Sequence, residues 1–224
     1  MNLYAHIKKS KIDNLQKHLY HISMIIDVSI NNIDLKLNTN DKLFSPRNAD
    51  MGTLSMLEEI DFTSESKVLD LGCGYGIVGI YASKIIGDNN VVMCDIDDNA
   101  VNTARNNAVL NDEANIEVLK SDGLKNIYYN DFSIILSNPP YHADFSVPKH
   151  FIEAGFYKLI LNGRFVMVTK RLDWYKNKLT SIFGGVKIIN KNGYYVFISE
   201  KRNSIPSNKI KHRLKKEIKM NKKL

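Results

Sequence analysis

Cysteine is scarce in this chain, and long apolar runs are missing. Cys73 and Cys94 are its two cysteines, too few for a disulfide framework or for a metal site of cysteines alone. We expect both to be small packing residues rather than nucleophiles. No apolar stretch approaches the roughly 20 residues of a membrane span, and the start of the chain lacks a signal-like apolar region. These absences predict a reduced, cytoplasmic protein with no metal site and no membrane segment.

Most of the chain also lacks a large net charge. The positive excess is confined to its C-terminal residues. Residues 201–224 contain ten Lys and Arg against one acid, Glu217, which leaves 21 basic and 23 acidic residues in 1–200. Such a basic segment is typical of contacts with a polyanion such as nucleic acid, and a solvated tail is the alternative. Apolar residues at 210, 214 and 218 are spaced as in a helix that docks on its own domain or on a partner. The spacing does not distinguish docking on its own domain from docking on a partner.

The distribution of apolar residues divides the chain into three parts. We expect an N-terminal extension at 1–40, a main domain at 41–200 and the basic tail at 201–224. The extension has a weak helical pattern at 11–20 and a predicted hairpin of strands 22–30 and 33–37, separated by Asn31-Asn32. The extension would help to place RNA or would simply cover an edge of the sheet.

Short apolar strands alternate with amphipathic helices from Lys67 onward. We predict strands at 68–71, 91–94, 116–119, 132–137 and 164–168, helices at 76–86, 98–110, 148–161 and 172–183, and a closing hairpin of strands 186–190 and 194–199 around Asn192-Gly193. Alternation of this kind is typical of a parallel sheet covered on both faces, with right-handed crossovers. The sequence therefore predicts an α/β fold with a Rossmann-like, doubly wound sheet of about seven strands. The sheet should be mostly parallel, with an antiparallel C-terminal hairpin strand.

A glycine-rich turn follows the first of these strands, in the stretch VLDLGCGYGIVG at 68–79. Gly74 to Gly79 match the dinucleotide fingerprint G-x-G-x-x-G. That fingerprint starts directly at the strand end, whereas Asp70 and three further residues precede it here. A carboxylate beside a glycine turn suits a ligand with a positive amino group better than a pyrophosphate, and S-adenosylmethionine carries an ammonium and a sulfonium. Close strand–helix packing without a ligand is the alternative.

Acidic residues follow the next two strands. Asp95 lies about 20 residues past the turn, where an acid can accept both ribose hydroxyls in a doubly wound fold. Asp97 or Asp98 can cap the following helix, and Asp98 is the expected cap. Asp122 is a candidate partner for an adenine amino group, although Asp122-Gly123 alone is more often a turn. The candidate cofactor-binding residues are Asp70, Gly72, Cys73, Gly74, Gly76, Asp95, Ile96, Asp122, Gly123 and Asn138.

Together these segments resemble the class I S-adenosylmethionine-dependent methyltransferases. The resemblance lies in VLDLGCGYG, CDID, SDGL and SNPPY, in this order and spacing. More narrowly, LFSPRNADMGT at 43–53, NPPYH and NGYYVFIS resemble the methyltransferase small domain family over roughly residues 40–200. The best-known members of that family are guanine-N2 methyltransferases of small-subunit ribosomal RNA. Longer members carry a second, inactive N-terminal domain for which this chain has no room, so the resemblance implies a single-domain, monomeric enzyme.

The stretch Asn138-Pro139-Pro140-Tyr141 is where the resemblance implies catalysis. An exocyclic amine on a base or an amide is a poor nucleophile because its lone pair is delocalised. The side-chain carbonyl of Asn138 and the backbone carbonyl of Pro139 can accept its hydrogens and stabilise the positive charge that develops on attack. Pro140 stiffens the corner, and Tyr141 offers an aromatic face on which a planar target can stack. No strong general base is required. A plain strand end is the alternative.

Residues around this corner are candidates for further contacts. Asp50-Met51-Gly52-Thr53 resembles the family segment that folds over the cofactor, and it also has the pattern of an Asp-capped helix start. His142 is a candidate substrate-binding residue, although a lone histidine beside a site is more often a packing residue. Lys170 and Arg171 follow the fifth strand of the alternating region, where they would touch an RNA backbone or simply be solvated.

The resemblance implies an S-adenosylmethionine-dependent N-methyltransferase that acts on an exocyclic amine of an RNA base, guanine N2 of small-subunit ribosomal RNA. Its partner would be ribosomal RNA or the small ribosomal subunit, bound through the basic tail. Adenine N6 of RNA and a glutamine side chain of a release factor are alternatives with the same chemistry, but the glutamine enzymes usually carry an N-terminal helical domain. A non-catalytic RNA-binding module is a remote alternative. The intact set of Asp70, Gly72, Gly74, Asp95 and Asn138 argues against it.

Overall fold

The computed structural model describes part of the chain, residues 24–43, 45–64, 66–140 and 144–212. The predicted helix at 11–20, residues Tyr141 and His142, and the segment 213–224 lie outside the described residues. Within the described ranges, no helix is long and apolar enough to cross a membrane.

Strands and helices alternate along most of the described chain, as the sequence predicts. The strands are β1 (Met24–Ile30), β2 (Ile33–Thr39), β3 (Val68–Leu71), β4 (Val91–Asp95), β5 (Glu117–Lys120), β6 (Phe132–Ser137), β7 (Leu159–Thr169), β8 (Lys187–Lys191) and β9 (Tyr194–Glu200). The helices are α1 (Met51–Leu57), α2 (Ile77–Ile86), α3 (Asp98–Leu110), α4 (Ser146–Lys158) and α5 (Asp173–Phe183). The two predicted hairpins, β1–β2 and β8–β9, are both confirmed.

Seven of these strands form one sheet, in the order β5-β4-β3-β6-β7-β9-β8. The first five strands of this order are parallel to one another. Strand β9 pairs antiparallel with both β7 and β8. The structure thus confirms the expected doubly wound, mostly parallel sheet with an antiparallel C-terminal hairpin.

The strand order reverses between β3 and β6. Strands β4 and β5 lie on one side of β3, and β6 and β7 lie on the other. In such a sheet, the connections diverge at the reversal and leave a crevice at the carboxyl ends of the strands, where ligands bind. Asp70 near the end of β3 and Asn138 directly after β6 both lie at this crevice, because β3 and β6 are neighbours.

The sheet has a hydrophobic core on each face. Strand β3 is buried at all four positions; its Val68 packs into the core on one face, and Leu69 packs into the core on the other. Ile134 and Ile135 of β6 divide between the faces in the same way. Successive side chains of a strand point to opposite faces, so a strand covered on both sides is apolar at consecutive positions.

Two buried asparagines, Asn107 within α3 and Asn111 directly after it, attach strand β2 to the main domain. Asn107 accepts from the Asn38 N–H at 2.7 Å, and its Nδ2 donates to the carbonyls of Asn38 and Tyr75, each at 2.8 Å. Asn111 accepts from the Lys36 N–H at 3.0 Å and donates to the Lys36 carbonyl at 2.7 Å. These side-chain amides bond the backbone of β2 as a neighbouring strand would, and they hold the hairpin against the core.

Helix α4 ends at Lys158, so the prediction of a helix to residue 161 was wrong. In the sequence, Leu159, Ile160 and Leu161 continue the apolar helical pattern. In the structure, Leu159 begins β7 beside Phe132, whereas Ile160 and Leu161 are 44% and 56% exposed. Leu159 pairs with Phe132 on the edge of β6 that β3 does not occupy. The periodicity of apolar residues along the chain cannot predict such pairing with a distant strand.

Lys201 belongs to the domain core, contrary to its place in the predicted basic tail. Its side chain is buried, and its Nζ donates to the Leu159 carbonyl at 2.6 Å and lies 5.0 Å from the centre of the Phe156 ring. Burial lowers the pKa of Lys201. Further along, the exposed Lys209 donates to the Tyr157 hydroxyl at 2.9 Å. The start of the tail therefore contacts its own domain.

Asn107→Ala should destabilise the fold strongly. The change removes three hydrogen bonds and leaves one N–H and two carbonyls without their partner. We expect the free energy of unfolding, measured by urea denaturation, to fall by about 2–4 kcal/mol. Asn106→Ala is the matched control, because Asn106 is exposed on the same helix. Its effect should stay below about 0.5 kcal/mol; equal effects of the two variants would contradict the role given to Asn107.

Candidate functional site

A cavity of about 350 Å³ lies at the carboxyl ends of β3, β4, β5 and β6. Its lining includes these residues identified from the sequence: Asp70, Gly72, Cys73, Gly74, Asp95, Ile96, Asp122, Gly123, Asn138, Pro139 and Pro140. Gly76 does not line the cavity and instead occupies the position before α2. Apolar walls come from Leu43, Ile77, Val78, Ala100, Val147 and Phe151. The fold thus brings nearly all the candidate cofactor residues to one site.

Asp70 is a buried carboxyl group in this cavity. Its Oδ2 accepts a hydrogen bond from the Gly79 N–H at 3.0 Å. Burial raises the pKa of Asp70 to about 7; the Gly79 N–H acts in the opposite direction, and the charge of Asp95 adds a smaller increase. A cation in the cavity would favour the ionised form of the carboxyl. The site is therefore suited to a positively charged group of a ligand.

Two glycines let helix α2 lie close to its neighbours. Gly76 adopts φ +91°, and a Cβ there would lie 3.2 Å from the Cβ of Ala104. A Cβ at Gly79 would lie 2.4 Å from Cγ of Met93. Because Gly79 has no side chain, its N–H comes within hydrogen-bonding distance of Asp70. The second half of the G-x-G-x-x-G match therefore serves close packing around the carboxyl group.

Asp95 ends β4 and is anchored by two backbone groups. Its Oδ2 accepts from the Gly74 N–H at 2.9 Å, and its Oδ1 accepts from the Asp97 N–H at 3.0 Å. An ionised carboxylate has about four acceptor positions. Asp95 is partly exposed and lines the cavity, so it keeps acceptor positions for the hydroxyl groups of a ligand.

Asp97 caps helix α3, so the prediction of Asp98 as the cap was wrong. The Asp97 side chain accepts from the Asn99 N–H at 2.9 Å. Asp98 is the first helical residue and forms an exposed ion pair with Lys120 at 2.5 Å. Two adjacent acids satisfy the same capping pattern in sequence. The extended backbone at Asp97, with φ −85° and ψ 122°, distinguishes the cap.

Asp122 occupies the turn after β5 and is exposed. A hydrogen bond and ion pair with Lys125 lower the pKa of Asp122. Gly123 follows with φ +59°, and a Cβ there would lie 2.8 Å from the ring of His150. Asp122-Gly123 is thus a turn, as the alternative interpretation had it, and the same two residues also line the cavity.

Both cysteines are buried beside the cavity. Burial is the main cause that raises the pKa of Cys94 to about 12 and the pKa of Cys73 well above its ordinary value. The thiolate is the nucleophilic form of cysteine. The structure therefore supports packing, rather than nucleophilic attack, as the role of both residues.

The amide of Asn138 is held by two acceptors on one side. Its Nδ2 donates to Asp50 Oδ1 at 2.8 Å and to Thr53 Oγ1 at 2.9 Å, which accounts for both of its hydrogens. A carboxylate can only accept, so the group that faces Asp50 is the NH2. The Oδ1 atom of Asn138 is buried and has no hydrogen-bond partner among the described residues. A buried unpaired acceptor is costly, and in a cavity lining it points to a donor on a ligand.

The sequence does not identify Asp50 and Thr53 as partners of Asn138. It indicates only a capped helix start and a stretch that resembles the family segment over the cofactor. The cap is confirmed, because Asp50 Oδ1 accepts from the Thr53 N–H at 2.9 Å. Tyr194, at the start of β9, donates to Asp50 Oδ2 at 3.3 Å. A Cβ at Gly52 would lie 2.7 Å from the Tyr194 ring. The stretches ADMGT, SNPP and NGYY contain all these residues, and their joint occurrence was the available signal.

Lys170 and Arg171 do not line the cavity and lie against aromatic rings near it. Lys170 Nζ is 4.8 Å from the centre of the Tyr194 ring, and the Arg171 guanidinium carbon is 5.0 Å from the centre of the Phe145 ring. Phe145 in turn stacks on Trp174 with 4.4 Å between ring centres. Both cations are exposed, so their charges are accessible to an anionic ligand.

Comparison with known sequences identifies relatives of this chain. A family model described as the methyltransferase small domain matches residues 34–199. The chain is 28% identical over 177 residues to the ribosomal RNA large subunit methyltransferase G of Psychromonas ingrahamii, which covers 75% of this chain and 46% of that protein. It is 27% identical over 178 residues to the uncharacterized protein YbxB of Bacillus subtilis, with 77% and 89% covered. The chain thus spans about half the length of the first of these relatives.

Solved structures share the fold. The 16S rRNA N2-guanine methyltransferase RsmC of Thermus thermophilus, in complex with AdoMet and guanosine, matches with a TM-score of 0.67 and 23% identity over 80% of this chain and 51% of that chain. An RNA methyltransferase of Salinibacter ruber, in complex with S-adenosyl-L-homocysteine, matches with a TM-score of 0.53 and 20% identity over 69% and 92%. These matches confirm the predicted sheet architecture.

Asp70→Asn should stabilise the ligand-free protein at high pH. Since the pKa of Asp70 is raised to about 7 in the folded state, folding favours the protonated carboxyl. Its contribution to the free energy of unfolding is then largest below the unfolded pKa and is lost as the pH rises towards 7. An amide carries no charge and can still accept from Gly79. We expect a gain of about 2–4 kcal/mol at pH 8 and almost none at pH 4, measured by urea denaturation.

Asp95→Asn is the matched control for this experiment. Asp95 lines the same cavity but is partly exposed, and its charge adds only a smaller increase to the pKa of Asp70, so its replacement should give a much smaller gain at pH 8 than Asp70→Asn. A gain for Asp70→Asn that is the same at pH 4 and pH 8, or no gain at all, would contradict the burial cost assigned to Asp70.

Proposed function

The chain belongs to the methyltransferase small domain family of class I, S-adenosylmethionine-dependent methyltransferases, and we propose that it methylates an exocyclic amine of a ribosomal RNA base. The target in this proposal is N2 of a guanine in small-subunit ribosomal RNA. The observation that carries the proposal is the buried, unpaired Oδ1 of Asn138, a residue that lines the cavity. An acceptor held in place without a partner suits a target that presents N–H groups.

S-adenosylmethionine is the cofactor of this family, and the groups in the cavity fit it. Asp70, whose pKa is raised to about 7 mainly by burial, would pair with the ammonium group. Asp95 would accept the ribose hydroxyls, and Asp122 would accept the adenine amino group. The remaining walls would come from Gly72, Cys73, Gly74, Ile96 and Gly123, with Gly76 shaping the start of α2. When bound, the cofactor supplies a methyl group on a positively charged sulfur.

Asn138 and Pro139 would bind the target amine. The Asn138 Oδ1 and the Pro139 carbonyl accept its two hydrogens, which turns the nitrogen lone pair towards the methyl group and stabilises the positive charge formed on attack. Pro139 is buried and Pro140 is exposed, so the corner is anchored on its inner side. Tyr141 would stack on the base, and His142, the next residue in the sequence, would contact the substrate. The surplus proton leaves to water, so no general base is required.

Charge and kinship support RNA as the substrate. The exposed Lys170 and Arg171 lie near the site and would contact phosphates that flank the target. One relative is named as a large-subunit ribosomal RNA methyltransferase, and one structural neighbour is a 16S rRNA N2-guanine enzyme in complex with guanosine. The guanine and small-subunit assignment of our proposal rests on that neighbour. We further propose that the protein works as a cytoplasmic monomer.

The tail would bind RNA away from the target base. Strand β9 is antiparallel to β7, so its last residue, Glu200, lies beside Arg164 in the middle of β7, whereas the cavity lies at the carboxyl ends of the parallel strands. The five residue steps from Arg164 to Thr169 span about 17 Å. A tail that leaves this end of the sheet would add phosphate contacts to the complex without touching the reacting atoms.

Methyl transfer to RNA tests the proposed activity. The protein would be given labelled S-adenosylmethionine with unmethylated small and large ribosomal subunits, their naked RNAs, tRNA and release factors, and the labelled product would be identified by mass. We expect N2-methylguanosine in small-subunit RNA. Asn138→Ala should lower kcat about 100- to 1,000-fold, because an acceptor for the developing charge is lost.

Asn106→Ala, an exposed asparagine on α3, is the control and should keep the wild-type kcat. Label in large-subunit RNA or in N6-methyladenosine would retain the chemistry and overturn the target. Label on a release-factor glutamine would make the substrate a protein. No label on any substrate, together with no binding of S-adenosylmethionine, would overturn the enzymatic proposal.

Removal of residues 213–224 should weaken RNA binding without slowing the chemistry. This segment contains six basic residues and one acidic residue, and each phosphate contact adds about 0.7–0.9 to the slope of log K against log salt. We expect KM for RNA to rise about tenfold or more and the slope to fall by about 3–5, with kcat unchanged. A full-length variant with the six basic residues replaced by glutamine should behave like the truncation. An unchanged KM and slope would contradict a role of the tail in RNA binding.

A further inference from the structure

We propose that Asp50 and Thr53 are positioning residues that orient the amide of Asn138 for methyl transfer. The inference rests on the proposed function, in which Asn138 accepts a hydrogen bond from the target amine. In this proposal, the segment before and within α1 orients Asn138, the hydrogen-bond acceptor for the target amine. The same segment would also cover the cofactor.

The contacts of Asn138 give its amide a single favourable orientation. Asp50 Oδ1 and Thr53 Oγ1 lie 2.8 Å and 2.9 Å from Nδ2. A rotation of the amide by 180° would place its oxygen against the Asp50 carboxylate, and neither group can donate there. The Thr53 hydroxyl can accept from the NH2 or donate to the oxygen and so tolerates both arrangements, whereas Asp50 tolerates only one. Asp50 therefore selects the orientation, and Thr53 accepts the second hydrogen. The result is that Oδ1 faces away from both residues, buried and unpaired.

The two acceptors are themselves held in place by other elements. Asp50 and Thr53 are both buried, and the Thr53 N–H bonds Asp50 Oδ1 at 2.9 Å as the cap of α1. Tyr194 donates to the other carboxylate oxygen at 3.3 Å. Gly52 lies against the Tyr194 ring, since a Cβ there would come within 2.7 Å of it. Acceptors supported by a helix start and a strand start hold an amide more precisely than a loop alone.

The charge of Asp50 also acts on the chemistry. A carboxylate bonded to the N–H side of an amide polarises it and makes the carbonyl oxygen a stronger acceptor. The amine acquires positive charge as it attacks the methyl group, so a stronger acceptor favours the transition state over the ground state. A residue that served only as a helix cap would not need to bond Asn138.

Kinetics of three variants test the role of this pair. Thr53→Val keeps the shape and removes the acceptor, and Asp50→Asn keeps the shape and removes the charge. We expect kcat to fall about 10- to 100-fold in each, while the Kd for S-adenosylmethionine and the KM for RNA change less than about threefold. Thr53→Ser should restore most of the loss. A weaker Kd for S-adenosylmethionine with kcat unchanged would overturn the proposal, because it would assign these residues to cofactor contacts alone.

Ser55→Ala is the matched control on the same helix. Ser55 is fully buried, and its Oγ accepts from Asn192 Nδ2 at 3.0 Å, away from Asn138. The variant should keep the wild-type kcat even where it lowers the unfolding midpoint as much as Thr53→Val. A similar loss of kcat in Ser55→Ala would show that any disturbance of α1 slows the enzyme, and it would overturn a specific role of Thr53.

A double-mutant cycle separates action through Asn138 from any other effect. In an Asn138→Ala background, Thr53→Val should leave the residual kcat unchanged, because the group that Thr53 positions is already absent. Losses that multiply in the double variant would show that Thr53 acts by another route.

Nuclear magnetic resonance tests the arrangement independently of methyl transfer. In ligand-free protein labelled with 15N at asparagine, the side-chain NH2 signals of Asn138 are identified by their loss in Asn138→Ala. We expect both hydrogens to exchange slowly with water, and one to exchange faster in Thr53→Val but not in Ser55→Ala. Fast exchange of both in the wild type would overturn the proposed positioning. Slow exchange in a protein that methylates no RNA would instead show that the proposed function had failed.

Discussion

A carboxyl group buried beneath a helix is the constraint on which the rest of this site depends. Asp70 lies in the middle of the sheet, and the Gly79 N–H reaches it at 3.0 Å because no side chain at Gly79 meets Met93. That close approach sets how α2 lies on β3 and β4. Burial raises the pKa of Asp70 to about 7, so the ligand-free fold is less stable at neutral and alkaline pH than it would be with a neutral residue there. A cationic ligand would offset that cost, and stability and binding therefore place opposite demands on one residue.

The acceptor side of the site is assembled from distant parts of the chain. Asp50 and Asn138 are 88 residues apart, and Tyr194 is 144 residues from Asp50. Asn107 and Asn111 likewise attach the N-terminal hairpin to the domain, because their side chains bond the backbone of β2. The described segments before the first parallel strand, at 24–43 and 45–64, thus belong to the packed domain. Through Asp50, they also determine the direction in which the acceptor oxygen faces.

Local patterns in the sequence predicted most of the architecture, and they failed where the outcome depended on a neighbour. The apolar run at 159–161 continued a helical period, but Leu159 begins strand β7 beside β6. The choice between Asp97 and Asp98 as a cap depended on backbone conformation, to which the identical residue types give no guide. Lys201 was counted with a basic tail and is instead buried against Phe156. For Leu159 and Lys201, a contact across the fold outweighed the local pattern.

The sequence by itself determined that this chain forms a mostly parallel α/β sheet and that Asp70, Asp95 and Asn138 meet at one edge of it. That much follows from alternating strands and helices, because the carboxyl ends of parallel strands share an edge. The tertiary structure alone decided how far the carboxyl of Asp70 is buried and which atom of Asn138 is left without a partner. Both depend on contacts between residues far apart in the chain, such as the bond from Asn138 to Asp50. No periodic pattern of residues in the sequence predicts the orientation of such a hydrogen bond.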